Sequence, residues 1–138
     1  MRYQLLLVLI LMTVSAAGSF AAEPSLVAIC AAGSVNGSRT ELSEGSHTIM
    51  EDRTTLSRIV YSFDYPEKGM VRILYGKEEA IGIVLNEHRT YKTVGYKLGG
   101  VSFMDTVFFE LGKVLSTEHK NLFGAAIATT WGIDCVIH

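Results

Sequence analysis

The chain has 138 residues, which is one domain's worth. Twelve Lys and Arg stand against 14 Asp and Glu, a formal net charge of −2 with no basic block or stripe. That balance excludes the electrostatic footprint of a nucleic-acid binder and of a protein held on an anionic membrane surface.

The first element in chain order is a leader. Arg2 precedes an unbroken apolar run from Leu5 to Met12, small residues follow from Ser15 to Ser19, and Ser19-Phe20-Ala21 fits the small-x-small rule of a peptidase site. These features predict a secretory signal peptide over residues 1–21, cleaved after Ala21, and hence a secreted or periplasmic protein. The run is about ten residues, roughly half of a bilayer-spanning helix, so no transmembrane segment is expected in the mature chain. Residues 22–138 are expected to form a single β-barrel or sandwich domain.

Two cysteines follow, Cys30 and Cys135. An even count in an exported chain reads as a disulfide. Joining them would close a loop of about 105 residues, for which chain entropy gives about 4.7 kcal/mol. Leu26 to Ala32 reads as an apolar strand carrying the first cysteine. Asn36-Gly37 then signals a two-residue hairpin turn. Asn36-Gly37-Ser38 also matches a glycosylation acceptor, which turn geometry explains equally well. Ser43 to Thr55 is the least regular stretch, read as a long loop or a short helix around Met50 to Leu56.

Alternation is clearest from Arg58 onward. Ile59, Tyr61, Phe63 and Tyr65 alternate with polar residues, Pro66 to Gly69 turns the chain, and Val71, Ile73 and Tyr75 resume the pattern. Gly76 to Glu79 turns it again, and Ile81, Ile83 and Leu85 form the next expected inward row. After a polar turn at Asn86 to Arg89, Thr90 to Leu98 is a strand in which Gly95 marks a bulge, because the apolar phase shifts between Tyr91 and Val94. Met104 to Leu115 satisfies both helical and strand periods. Gly112 and the β-favouring Thr106 to Phe109 argue for a hairpin turning at Gly112-Lys113. Asn121 to Gly124 turns into a last strand from Ala125, which Gly132 bends before Ile133 to Ile137.

Eight or nine short strands result. A cystine between first and last strands makes them neighbours, since its Cα atoms must approach within about 7 Å. The fold expected is all-β, a closed or nearly closed antiparallel barrel or sandwich.

No chemistry-bearing motif stands out. His47, His88, His119 and His138 lack zinc-ligand spacing. Glu87-His88 and Glu118-His119 place neighbouring side chains on opposite strand faces. Nucleophile elbows, Ser-x-x-Lys pairs and phosphate loops are missing. No catalytic residue, metal or cofactor is therefore assigned. The aromatic residues Tyr61, Phe63, Tyr65, Tyr75 and Trp131 read either as packed core or as the wall of a ligand pocket. The leading expectation is a non-enzymatic binding module whose loops or sheet face engage a protein or cell-envelope partner, Ser43 to Thr55 being the longest candidate segment. The alternative is a lipocalin-like carrier of a small apolar ligand in the barrel interior. An enzyme is a further reading without a motif behind it.

Overall fold

The computed structural model describes residues 23–138, so the signal peptide expected over residues 1–21 and its expected cleavage point lie outside the described residues. Ten strands follow one another: β1 (Leu26–Cys30), β2 (Gly33–Ser43), β3 (Ser46–Leu56), β4 (Ile59–Phe63), β5 (Met70–Tyr75), β6 (Glu78–Glu87), β7 (Tyr91–Leu98), β8 (Val101–Phe108), β9 (Lys113–Leu122) and β10 (Ala125–Ile137). All pairings are antiparallel.

The sheet runs β1-β4-β5-β6-β7-β8-β9-β10, and β10 returns to pair with β1, closing an eight-stranded barrel. Closure comes from the last three residues of β10, which face β1 with Cys30 directly opposite Cys135, and the two are disulfide-bonded. The same long strand serves a second partner. From Ala126 to Trp131 its edge pairs with β2 instead, and β2 in turn pairs with β3. β2 therefore prolongs β1, and β3 prolongs β4, each after a two-residue break. The β2–β3 hairpin stands beyond the barrel rim as an extension of its own wall.

Side-chain alternation explains which residues fill the barrel. Tyr61, Phe63, Val71, Ile73, Val94 and Val107 have no accessible surface, and Ile59, Val114 and Ile133 have almost none. They form one contiguous core with Ala28, Cys30 and Trp131. The row expected from Ile81, Ile83 and Leu85 is inverted. The turn at Gly76 and Lys77 pairs Tyr75 with Glu78 and Ile73 with Ala80, so Ala80 and Gly82 face inward, while Ile81, Ile83 and Leu85 are about half exposed. Volume is the physical reason: a Cβ on Gly82 would lie 3.0 Å from Ile73 Cδ1 and 3.1 Å from Tyr96 Cβ. The β7 backbone at Gly95, 2.8 Å from that position, and the side chains of β5 and β7 leave room for no Cβ at Gly82.

Three further expectations shift. The irregularity expected at Gly95 lies across the strand pair at Leu85, where the β6–β7 register slips between Val84 and Asn86, and Gly95 is the bare backbone on which the Leu85 side chain rests. Asn36-Gly37 lies in the middle of β2, while the hairpin turns at Glu44 and Gly45. Gly37 is required by a neighbour, since a Cβ there would lie 2.2 Å from the Thr130 carbonyl oxygen and 2.5 Å from Trp131 Cδ1. Ser43 to Thr55 is neither loop nor helix and makes up most of β3. Its exposed residues lack apolar alternation because the extension is wet on both faces. Met104 to Leu115, by contrast, is the hairpin its Gly112 suggested.

Candidate functional site

The aromatic residues separate into three environments. Tyr61 and Phe63 are core. Tyr75 and Trp131 pack at the rim from which the extension rises, Trp131 with its indole over Gly37. Tyr65 is not on the inward row at all. The strand ends at Phe63, Asp64 takes a positive φ of 55°, and Tyr65 lies outside at the other end of the barrel beneath the Arg72 guanidinium, 5.7 Å from its ring centre.

One buried polar centre escaped the sequence reading. Asp105 has no accessible surface and accepts hydrogen bonds from the Tyr61 hydroxyl at 2.6 Å and the Tyr96 hydroxyl at 2.7 Å. Burial raises its pKa above the ordinary 3.8, and burial together with the nearby carboxylate raises both tyrosines well above theirs. The signal available in the sequence was a lone acid at an inward position between Phe103 and Val107. Its hydroxyl partners come from β4 and β7, so it ties opposite barrel walls together. Phe103 stacks on Tyr96 at 5.0 Å with an interplanar angle of 7° and closes the rim above it.

The histidine–carboxylate neighbours do not meet. Glu118 faces inward and pairs with Lys120 at 2.6 Å, whereas His119 sits on the outer face. His88 stacks on Tyr91 while Glu87 pairs with Lys92 at 3.0 Å. Among the described residues no cluster of His, Cys, Asp and Glu is arranged to hold a metal ion.

The extension carries the accessible features. Its inner face holds the Arg39–Glu41 and Glu118–Lys120 pairs. Its outer face has a trough of about 390 Å³ floored by Ala126 and Ala128 and flanked by Thr40, Leu42, His119 and Asn121. It ends in β3, which is paired along its whole length on one side, from Leu56 against Gly33 to Ser46 against Ser43, and has no partner on the other among the described residues. A two-residue turn makes Ser43 and Ser46 the hydrogen-bonded closing pair. By the alternation of an antiparallel ladder, the backbone groups of His47, Ile49, Glu51, Arg53 and Thr55 then point to the open side. These same residues project their side chains on the outer face, where Ile49 is 66% exposed. β3 has no proline and no bulge, the usual devices that blunt an edge.

Compared with family models, curated proteins and solved structures, the chain matches none.

Proposed function

We propose that this protein is a non-enzymatic binding module that captures an extended segment of a protein partner by adding it as a strand to the open edge of β3. The observation behind this reading is that edge itself: a strand from Ser46 to Leu56, regular throughout, paired on one side only among the described residues and raised clear of the barrel. Backbone hydrogen bonds supply affinity in this mode, and alternate side chains supply choice.

The outer row of β3 gives the partner a chemistry. A segment lying antiparallel would meet Arg53, then Glu51, then Ile49. It is matched by an acidic residue, a basic residue and an apolar residue at every second position, since opposite charges and apolar groups placed across a ladder each stabilise by about 0.2–1 kcal/mol. The rigid barrel supports the reading by preorganising the edge, which lowers the ordering cost of binding.

The test is selection of displayed peptides on the protein, repeated with Glu51→Pro. Proline at this position removes a donor facing the open side and leaves the β2–β3 bonds in place, so the fold persists. Selected peptides are expected to show the acidic-x-basic-x-apolar alternation and to lose at least about tenfold in affinity for the variant, the equivalent of about 1.4 kcal/mol. Peptides that bind the variant equally well would place recognition elsewhere and overturn the reading.

A further inference from the structure

Resting on that reading, we infer that a second copy of this chain occupies the β3 edge when no partner is present, giving a two-fold dimer in which β3 pairs antiparallel with its own copy. A long flat edge invites pairing with any exposed strand, and a closed two-fold pair is the arrangement that removes the edge without starting a fibre. The charge order along β3 selects both the occupant and the register.

With the two-fold axis perpendicular to the sheet, opposed residues lie on the same face, so odd positions meet odd and even meet even. Centring the axis on Glu51 or Arg53 sets that charge directly against its own copy. Centring it on Asp52 sets each Glu51 against an Arg53, but it also sets the two Asp52 carboxylates against each other and leaves Ile49 opposite Thr55 and Met50 opposite Thr54, so neither apolar residue is matched. Centring it on Met50 sets His47 against Arg53 and Ile49 against Glu51, with Met50 against Met50 the one attractive pair. Centring it on Ile49 sets Ile49 against Ile49 of the second copy and each Glu51 against a His47. In that register Met50 lies opposite Thr48 and Asp52 opposite Ser46, and no like charges meet. Ile49 and Met50, 66% and 38% exposed in the single chain, are both covered. Registers nearer the turn pair fewer residues. The arrangement also satisfies the backbone, because Ile49 belongs to the set whose amide and carbonyl point outward, and two such residues exchange both hydrogen bonds. His47 is a weaker match to Glu51 than a Lys or Arg, so the self-pair imitates the partner pattern imperfectly and yields to it.

The experiment combines sedimentation of the whole protein with cysteine cross-linking. The unaltered protein is expected to sediment as a dimer at tens of micromolar. Glu51→Pro, checked for its fold by circular dichroism, is expected to be monomeric. His47→Glu and Glu51→Lys are each expected to weaken the dimer about tenfold, and the double variant to return to within about threefold, since each dimer contains two such pairs. Ile49→Cys is expected to cross-link spontaneously, because hydrogen-bonded pairs hold Cα atoms about 5.5 Å apart, within disulfide reach. Preferential cross-linking of Met50→Cys would overturn the register. A protein that is monomeric throughout, or a dimer unaffected by Glu51→Pro, would overturn the self-pairing. A monomer that still captures the selected peptides through β3 would overturn self-pairing alone and leave strand addition standing. Loss of peptide capture with the dimer intact would do the reverse.

Discussion

The barrel and its extension are built from continuations of the same strands, β1 into β2 and β3 into β4, yet they are held by different physics. In the barrel each strand has two neighbours, and alternation delivers every second residue into a dry interior filled by Tyr61, Phe63 and Ile73. In the extension the sheet opens, both faces meet water, and β3 keeps unpaired backbone groups along one side. Burial and a covalent seam stabilise the first. Hydrogen bonds, one ring seated on one glycine and a few charge pairs stabilise the second. Closure, more than local sequence, decides which half of a strand is walled in on both edges and which half keeps one edge open.

The largest effect expected is on the barrel alone. Replacing both Cys30 and Cys135 with serine should lower stability by about 2–5 kcal/mol, as loss of a long-loop disulfide does, read as a fall in the urea midpoint. A fall below about 1 kcal/mol would mean that the β1–β10 hydrogen bonds hold the seam unaided.

Next comes the polar centre. Asp105→Ala leaves two buried tyrosine hydroxyls without their acceptor, at about 1–3 kcal/mol for each unsatisfied group. Removing the buried carboxyl also removes its own desolvation cost, so a net loss of about 2–4 kcal/mol is expected. Asp105→Asn keeps an acceptor and should cost less, and its use is as a pH probe. Burial raises the pKa of Asp105 in the folded state above 3.8, so the folded protein holds that proton more tightly than the unfolded chain does. Its contribution is fully present below the unfolded value and is lost as pH rises through the folded one. Asp64 has the opposite sign: the Gly69 amide, with the Ser25 hydroxyl, lowers its pKa, so its contribution is lost only as pH falls below 3.8. Urea midpoints measured from pH 4 upward should therefore decline more steeply for the unaltered protein than for Asp105→Asn. Parallel curves would remove the assignment.

The smallest of the three effects should be confined to the extension. Gly37→Val drives a side chain into the Thr130 carbonyl and the Trp131 indole, at about 1–3 kcal/mol for an overpacked site. Hydrogen exchange should speed up along β2 and β3, Trp131 fluorescence should shift to the red, and protection of β4 to β8 should persist. Equal loss of protection everywhere would show that barrel and extension unfold as one unit.

The same contrast explains what could be read in advance. From Arg58 onward the turns at Gly69, Gly76 and Gly112 and the alternation of Tyr61, Phe63, Val71 and Ile73 were legible, because one face of each strand is dry. The face of β6 was misjudged because Gly82 is inward for reasons of volume, which depend on how closely Ile73, Gly95 and Tyr96 of the neighbouring strands approach it. The extension was illegible: Asn36-Gly37 has the local chemistry of a turn, and only the Trp131 indole lying over Gly37 explains a glycine in mid-strand. An open edge leaves no local mark, since it depends on which strands fail to arrive beside β3.

The place where β10 changes partners has a mechanical consequence. A load pulling β3 away from the body would unzip the hairpin one backbone link at a time, and the tear would travel down β2 toward the barrel. It would first reach Trp131 seated on Gly37, where β2 leaves β10, and then the cystine that bolts Cys30 to Cys135. That fork acts as a rip-stop. A pull on the exposed strand is expected to peel the hairpin while the vessel below stays shut.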